Sequence, residues 1–355
     1  MSGSSTYSSL DRFLHRLAFA GTELQKNISE MESLSAKAEL ASVPIRRPIF
    51  ITALPRAGTT LLLETVVAMG NVATHTYRDM PFVLCPLTWD KLSRGFRVDS
   101  AVRERAHGDG MMVGYDSAEA FEEVVWKAFF PKKYHLDRID LWTVADRDPE
   151  FEIFFREHIK KLILLRAPAA KGPQRYASKN NANIARIALL RAKFPDCDIV
   201  VPFRDPLSQS MSLLRQHRNF LAVHERDQFA RRYMESLGHY EFGSALRPIS
   251  FPSNDLESWS PDTIEFWIAY WIAAYAWILQ QRPCGLVLLN YDGFVANPAK
   301  YGEALGQKLG LTSVAELGHI RPARAYDIDR GGLPADLLAR AQDIHGQLVG
   351  GALAS

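Results

Sequence analysis

Cysteine is scarce in this chain of 355 residues: Cys85, Cys197 and Cys284 stand far apart, with no CxxC pair and no Cys/His ligand spacing. That argues against a disulfide framework and a cysteine-built metal site, and it predicts a reducing compartment. A dominant charge is also missing. The 42 Lys and Arg against 40 Asp and Glu leave a net +2, so no global field draws the chain to nucleic acid or an anionic membrane. Any basic site must be local. The longest apolar run, FWIAYWIAAYAWIL at 266–279, falls short of the roughly 20 residues a membrane span needs. It is expected as a buried helix whose aromatics pack on a sheet; a membrane-surface or dimer helix, and with the latter a homo-oligomer, is the alternative. The opening stretch MSGSSTYSSLDRFLHRL lacks the apolar core of a secretory signal, and a cytoplasmic protein is expected.

What the sequence does contain is an ordinary globular composition, 47% hydrophobic and 23% charged, enough to bury a large core. Residues 1–40 read as a helical extension, with Leu10, Phe13, Leu14 and Leu17 at helical spacing. Buried apolar strands are expected at 49–53, 175–178, 197–203 and 285–290, and a short one at 72–76. Helices between them imply a parallel β-sheet covered on both faces, an α/β fold of P-loop-like type. Residues 41–355 then form one domain with a largely helical insertion at about 80–170. Asp205-Pro206 reads as an N-cap and first helical proline, and Pro298 opens another helix.

The chemistry concentrates at PIFITALPRAGTTLLL, residues 48–63, where an apolar strand breaks into a tight turn and resumes as a helix. Such a turn aims several backbone N–H groups and the positive end of a helix dipole at one spot, which suits an anion. Arg56 adds a permanent charge. Set against the Walker pattern GxxxxGK[ST], Gly58 matches the second glycine, but Ala53 stands at the first and Thr59 at the lysine. A kinase or nucleotide hydrolase would lack its phosphate-reaching Lys. A second constellation, RDPLSQSMS, puts Arg204 directly after a buried strand and Ser212 eight residues on, about two helical turns along. Together these two could hold a second phosphate.

The LPRAGTT and RDPLSQSMS segments resemble the two phosphosulfate-binding motifs of sulfotransferases that use 3′-phosphoadenosine 5′-phosphosulfate (PAPS), in the broad bacterial and Golgi-type branch. Ala57 departs from the usual Ser of the first motif; SKNN at 178–181 and NYDGFVANP at 290–298 resemble further family segments. The resemblance implies that the N–H groups of Ala57, Gly58, Thr59 and Thr60, with the threonine hydroxyls, hold the 5′-phosphate. It sets Arg56 against that phosphate and the bridging oxygen, and Arg204 and Ser212 on the 3′-phosphate. Lys179 would neutralise the sulfate, and 3′-phosphoadenosine 5′-phosphate (PAP) would be the product. In-line sulfuryl transfer to a hydroxyl requires no metal in this scheme, but it does require a general base.

Asp79, twenty-three residues after Arg56, is the first candidate base and His75 the second. An ion pair with Arg78 or a cap is the competing account of Asp79, and a satisfied structural histidine that of His75. His107, Asp109, Asp116, Glu119 and Glu122 are weaker candidates. Arg321, Arg324 and Arg330-Gly331-Gly332 loosely resemble a basic loop over the 3′-phosphate. Trp89, Trp126 and Trp142 could stack on sugar rings, and on that ground a saccharide hydroxyl is the expected acceptor; as core residues they would carry no such message. A P-loop kinase or hydrolase, or a PAP-binding module without catalysis, remain alternatives.

Overall fold

The computed structural model describes residues 18, 21–94, 103–104, 112–113, 119–166, 174–252, 256–312 and 332–353. Helices α1 (Thr22–Ser35) and α2 (Lys37–Ser42) precede strand β1 (Ile49–Ile51), helix α3 (Thr59–Ala68) and strand β2 (Val72–Ala73). The inserted segment follows, with α4 (Pro86–Ser93), a small antiparallel pair β3 (Arg103–Glu104) and β4 (Met112–Val113), α5 (Glu122–Phe129) and the long α6 (Pro149–Arg166). Among the described residues the insertion is largely helical as expected, apart from that short ribbon. Then come β5 (Arg175–Lys179), α7 (Ile187–Lys193), β6 (Asp198–Phe203), α8 (Pro206–Arg226), α9 (Gln228–Leu237) and α10 (Ile264–Gln280). Strand β7 (Leu286–Asn290) and helices α11 (Tyr291–Ala296), α12 (Pro298–Leu309) and α13 (Ala335–Gly350) complete the order.

Five strands form a wholly parallel sheet in the order β2-β5-β1-β6-β7. Ile49, Phe50 and Ile51 of central β1 are all fully buried, because helices cover both faces. The pleat divides them. Phe50 faces the larger apolar cluster with Ile199 and Val201, while Ile49 and Ile51 face the smaller one with Leu62, Val66 and Leu305. Strands β5 and β6 flank β1, so the chain leaves β1 toward opposite sides of the sheet. A crevice opens at the carboxyl ends of such strands.

Local chemistry sets the element ends. Gly70 (φ 83°) and Asn71 (φ 57°) stop the chain after α3 in left-handed conformations. The Asp205 carboxylate accepts from Ser208 N at 2.8 Å and caps α8, which runs nine residues past the expected stop near His217. Helix α10 is buried along most of its length, against α8 and α13. Among the described residues no helix is long and apolar enough to cross a membrane. The expected helix at Leu10–Leu17, the candidates His107, Asp109 and Asp116, and the basic stretch from Arg321 to Gly331 lie outside the described residues.

Candidate active site

The turn after β1 is built at some conformational expense. Arg56 adopts φ 67° and Gly58 φ 89°, two left-handed residues on either side of fully buried Ala57. Only the glycine is suited to that region by its missing Cβ. A Cβ on Gly58 would also lie 2.0 Å from the Tyr291 ring, which covers the turn from the start of α11. Gly58 then N-caps α3, whose first intrahelical bond runs from Leu62 N to Gly58 O at 3.0 Å.

The two sequence motifs meet here. Arg56 Nε donates to Ser212 Oγ at 3.1 Å, and Arg204 Nη1 reaches Arg56 O at 3.4 Å. The Arg204 side chain is only 8% exposed; it lies over the Tyr291 ring, with Nε 3.5 Å from Asp292 Oδ1 and no hydrogen-bond partner for Nε among the described residues. A buried guanidinium with an unspent donor, beside a turn whose Gly58 has no room for a Cβ, fits an anion such as a phosphate. Asp292 also accepts from Asp205 N at 2.9 Å, tying β6 to α11 below the site.

Thr59 is buried and donates to Asn181 Oδ1 at 3.4 Å; Thr60 is half-buried on the first turn of α3. Lys179 ends β5 opposite Ile51 and lines a cavity beside the turn, of about 610 Å³ counting its open mouth. Leu54, Pro55, Asn181, Leu213 and Trp267 share that lining.

The two candidate bases lie elsewhere. Asp79 is 3% exposed and closes a capping box with Thr76, accepting its N–H at 2.9 Å. His75 Nδ1 lies 3.2 Å from the same carboxylate, which also pairs with Arg166 rather than Arg78. Burial alone would raise the Asp79 carboxyl, but His75, Arg166 and the Thr76 amide outweigh it and hold it below the usual range. His75 Nε2 faces His158 Nε2 at 3.1 Å inside the core. Neither residue lines the cavity, and a carboxylate held this firmly is a weak proton acceptor. Of the weaker candidates, Glu119 bonds Tyr77, and buried Glu122 accepts from Trp126, Tyr176 and Asn183.

Trp89, Trp126 and Trp142 do not line the cavity and offer no sugar platform there. Trp126 and Trp142 are core residues with the Arg186 guanidinium 4.3 and 4.4 Å from their rings, and Trp89 packs on Phe82.

Gln209, which the sequence does not single out, is fully buried beneath the turn. Its Nε2 donates to Leu54 O at 3.3 Å and Pro55 O at 3.0 Å, and its Oε1 accepts from Trp271 Nε1 at 3.0 Å and Tyr275 OH at 3.3 Å. The aromatic helix α10 thus props the turn through one amide. Asn181, His239 and Glu241 were also missed; the only hint was that Asn181 sits inside SKNN.

With this geometry in view, the comparisons agree on a class. The family model described as Sulfotransferase family matches residues 48–316, most of the chain, and the protein belongs to that family. No curated protein matches the sequence. Among solved structures, sulfotransferase STF9 from Mycobacterium avium is 13% identical, with 98% of this chain and 87% of that one covered and a TM-score of 0.51, a likeness of fold. Sulfotransferase STF1 from Mycobacterium tuberculosis H37Rv is also 13% identical, with 98% and 88% covered and a TM-score of 0.46. The chain is a sulfotransferase with a P-loop-like α/β fold.

Proposed function

We propose that the protein moves a sulfuryl group from PAPS to an acceptor hydroxyl by in-line transfer. The observation that carries this reading is the hydrogen bond from Arg56 to Ser212, with buried Arg204 against the same turn. Residues 148 and 156 positions apart converge on one anion site. In this reading the amides of Ala57 to Thr60 and the two threonine hydroxyls bind the 5′-phosphate, and Arg204 and Ser212 bind the 3′-phosphate. Arg56 stabilises charge on the leaving phosphate, and Lys179 neutralises the sulfate. The absent Ser hydroxyl at Ala57 removes one side-chain contact and leaves the backbone donor. All three cysteines are free, in keeping with a reducing compartment.

PAP should raise the melting temperature of the wild-type protein, with about 2.7 kcal/mol of stabilisation at a hundredfold excess over its Kd. The Arg204→Ala variant should fold and lose that rise. A wild-type protein indifferent to saturating PAP would overturn the reading.

A further inference from the structure

Beside the turn, the cavity is lined by apolar side chains together with a short series of linked polar ones. Asn181 bridges the donor side and the cavity: its Oδ1 accepts from Thr59, and its Nδ2 donates to Glu241 Oε1 at 3.0 Å. Glu241 Oε2 in turn lies 3.6 Å from His239 Nδ1, an ion-pair distance. Burial would raise the Glu241 carboxyl, yet His239, Lys179 and Asn181 together bring it down to about 2. Such a carboxylate stays charged and takes up a proton poorly. It can, however, orient an imidazole and stabilise it once protonated. With Nδ1 turned to Glu241, Nε2 is the ring nitrogen left for an incoming hydroxyl. The other carboxylate of the lining, Glu123, is already held by Asn180, Arg186 and Tyr134.

Most of the remaining lining is apolar. Ile139, Leu213, Leu246 and Ile249 carry no hydrogen-bonding side chain. Trp267 Nε1 donates to Pro261 O at 2.9 Å, and Tyr270 OH accepts from Ile249 N at 2.9 Å. The Arg247 guanidinium lies 4.1 Å from the Tyr240 ring. A sugar ring, with hydroxyls around its edge, would leave several of them unpaired against these apolar residues. A body with one hydroxyl and an otherwise apolar surface fits the His239 group and the apolar residues together.

Resting on the sulfotransferase reading above, we infer that the acceptor is a compact apolar hydroxyl compound of the phenol type and that His239 is its general base, with Glu241 and Asn181 as positioning residues. The acceptor O–H proton passes to His239 Nε2 as the acceptor oxygen bonds to sulfur. The bond from sulfur to the bridging phosphate oxygen breaks, its electron pair leaving with PAP. The imidazolium, paired with Glu241, then returns its proton to solvent.

The test uses the full chain, PAPS and a panel of phenols of graded acidity beside simple alcohols and monosaccharides. Phenols should be sulfated and monosaccharides remain at background. His239→Gln should keep the PAP-induced rise in melting temperature but lose about 10²- to 10⁴-fold in kcat on weakly acidic phenols. The loss should shrink for 4-nitrophenol, which ionises readily without a base, and the acid limb of the pH–rate profile should disappear. Glu241→Gln should show a smaller loss of the same kind. Turnover of sugars in place of phenols, or a His239→Gln enzyme with unchanged kcat and pH profile, overturns the inference while PAP binding stands. Failure of PAP to bind the wild-type protein overturns it together with the donor reading.

Discussion

At the scale of single residues, Arg56 is held in a backbone conformation that costs an L residue about 1–2 kcal/mol, and Gln209 is the clearest structure that offsets it. One buried amide satisfies two carbonyls of the turn and two donors of α10. Gln209→Leu would keep most of the volume, strand the Trp271 indole N–H and release the Leu54 and Pro55 carbonyls. A loss of about 2–4 kcal/mol in unfolding free energy is expected, measured by urea denaturation, with weaker PAP binding in the surviving fold. The meeting of Arg56 with Ser212 and Arg204 was legible because these residues are packed into short segments, LPRAGTT and RDPLSQSMS, whose spacing is itself the signal. Gln209 lies in the second of these, but a Gln on a helix shows its role only when its neighbours across the core are known. The Asp79 carboxylate could be found in the sequence, and its nearness to Arg78 suggested a structural role. The actual partner, Arg166, comes from 87 residues away.

At the scale of elements, α8 links cap, prop and anion site in two turns: Asp205, then Gln209, then Ser212. Removing the cap should therefore do more than fray a helix end. Asp205→Ala is expected to cost about 1 kcal/mol of stability and to weaken PAP binding several-fold by loosening Ser212, read by thermal shift with and without PAP. The strands were visible in the sequence to within a residue or two at β5, β6 and β7, and β6 and β7 are apolar runs bounded by their own stop signals. The far end of α8 was not, because its later turns meet residues distant in sequence: His217 Nδ1 accepts from Gly243 N, and His224 Nδ1 bonds Ser244 Oγ. The bond from Asn181 to Glu241 was invisible for the same reason. Asn181 and Glu241 are 60 residues apart, and no local pattern announces their meeting.

At the scale of the whole molecule, burial disfavours the charged form of four histidines, of which His158, His217 and His224 are buried and His345 is half-buried. It lowers the pKa of His158 well below its ordinary value, with neighbours His75 and Lys161 adding to it, and likewise lowers His217, His224 and His345. In the unfolded chain each takes up a proton below about pH 6.5. The unfolded state therefore binds more protons there, and stability falls as the pH drops, by at most about 1.4 kcal/mol per pH unit for each histidine. Asp79 works in a lower window: its contribution is complete above the unfolded carboxylate value of about 3.9 and is lost as the pH falls through its depressed folded value. Urea midpoints should thus drop between about pH 7.5 and 5.5, and His158→Gln should flatten that slope. A midpoint unchanged over the interval would contradict these lowered values.

The strand order has a consequence for how such an enzyme changes its trade. On the proposed reading, donor-side groups sit at the ends of β1, β5 and β6 and on α8, whereas much of the cavity lining comes from loops and helices outside the sheet. Substitutions at Ile139, Leu246 or Ile249 can redraw the list of tolerated acceptors without touching the sheet that positions Arg56, Lys179 and Arg204. New substrates can then be tried by drift in a few apolar side chains, while the reaction itself is inherited intact.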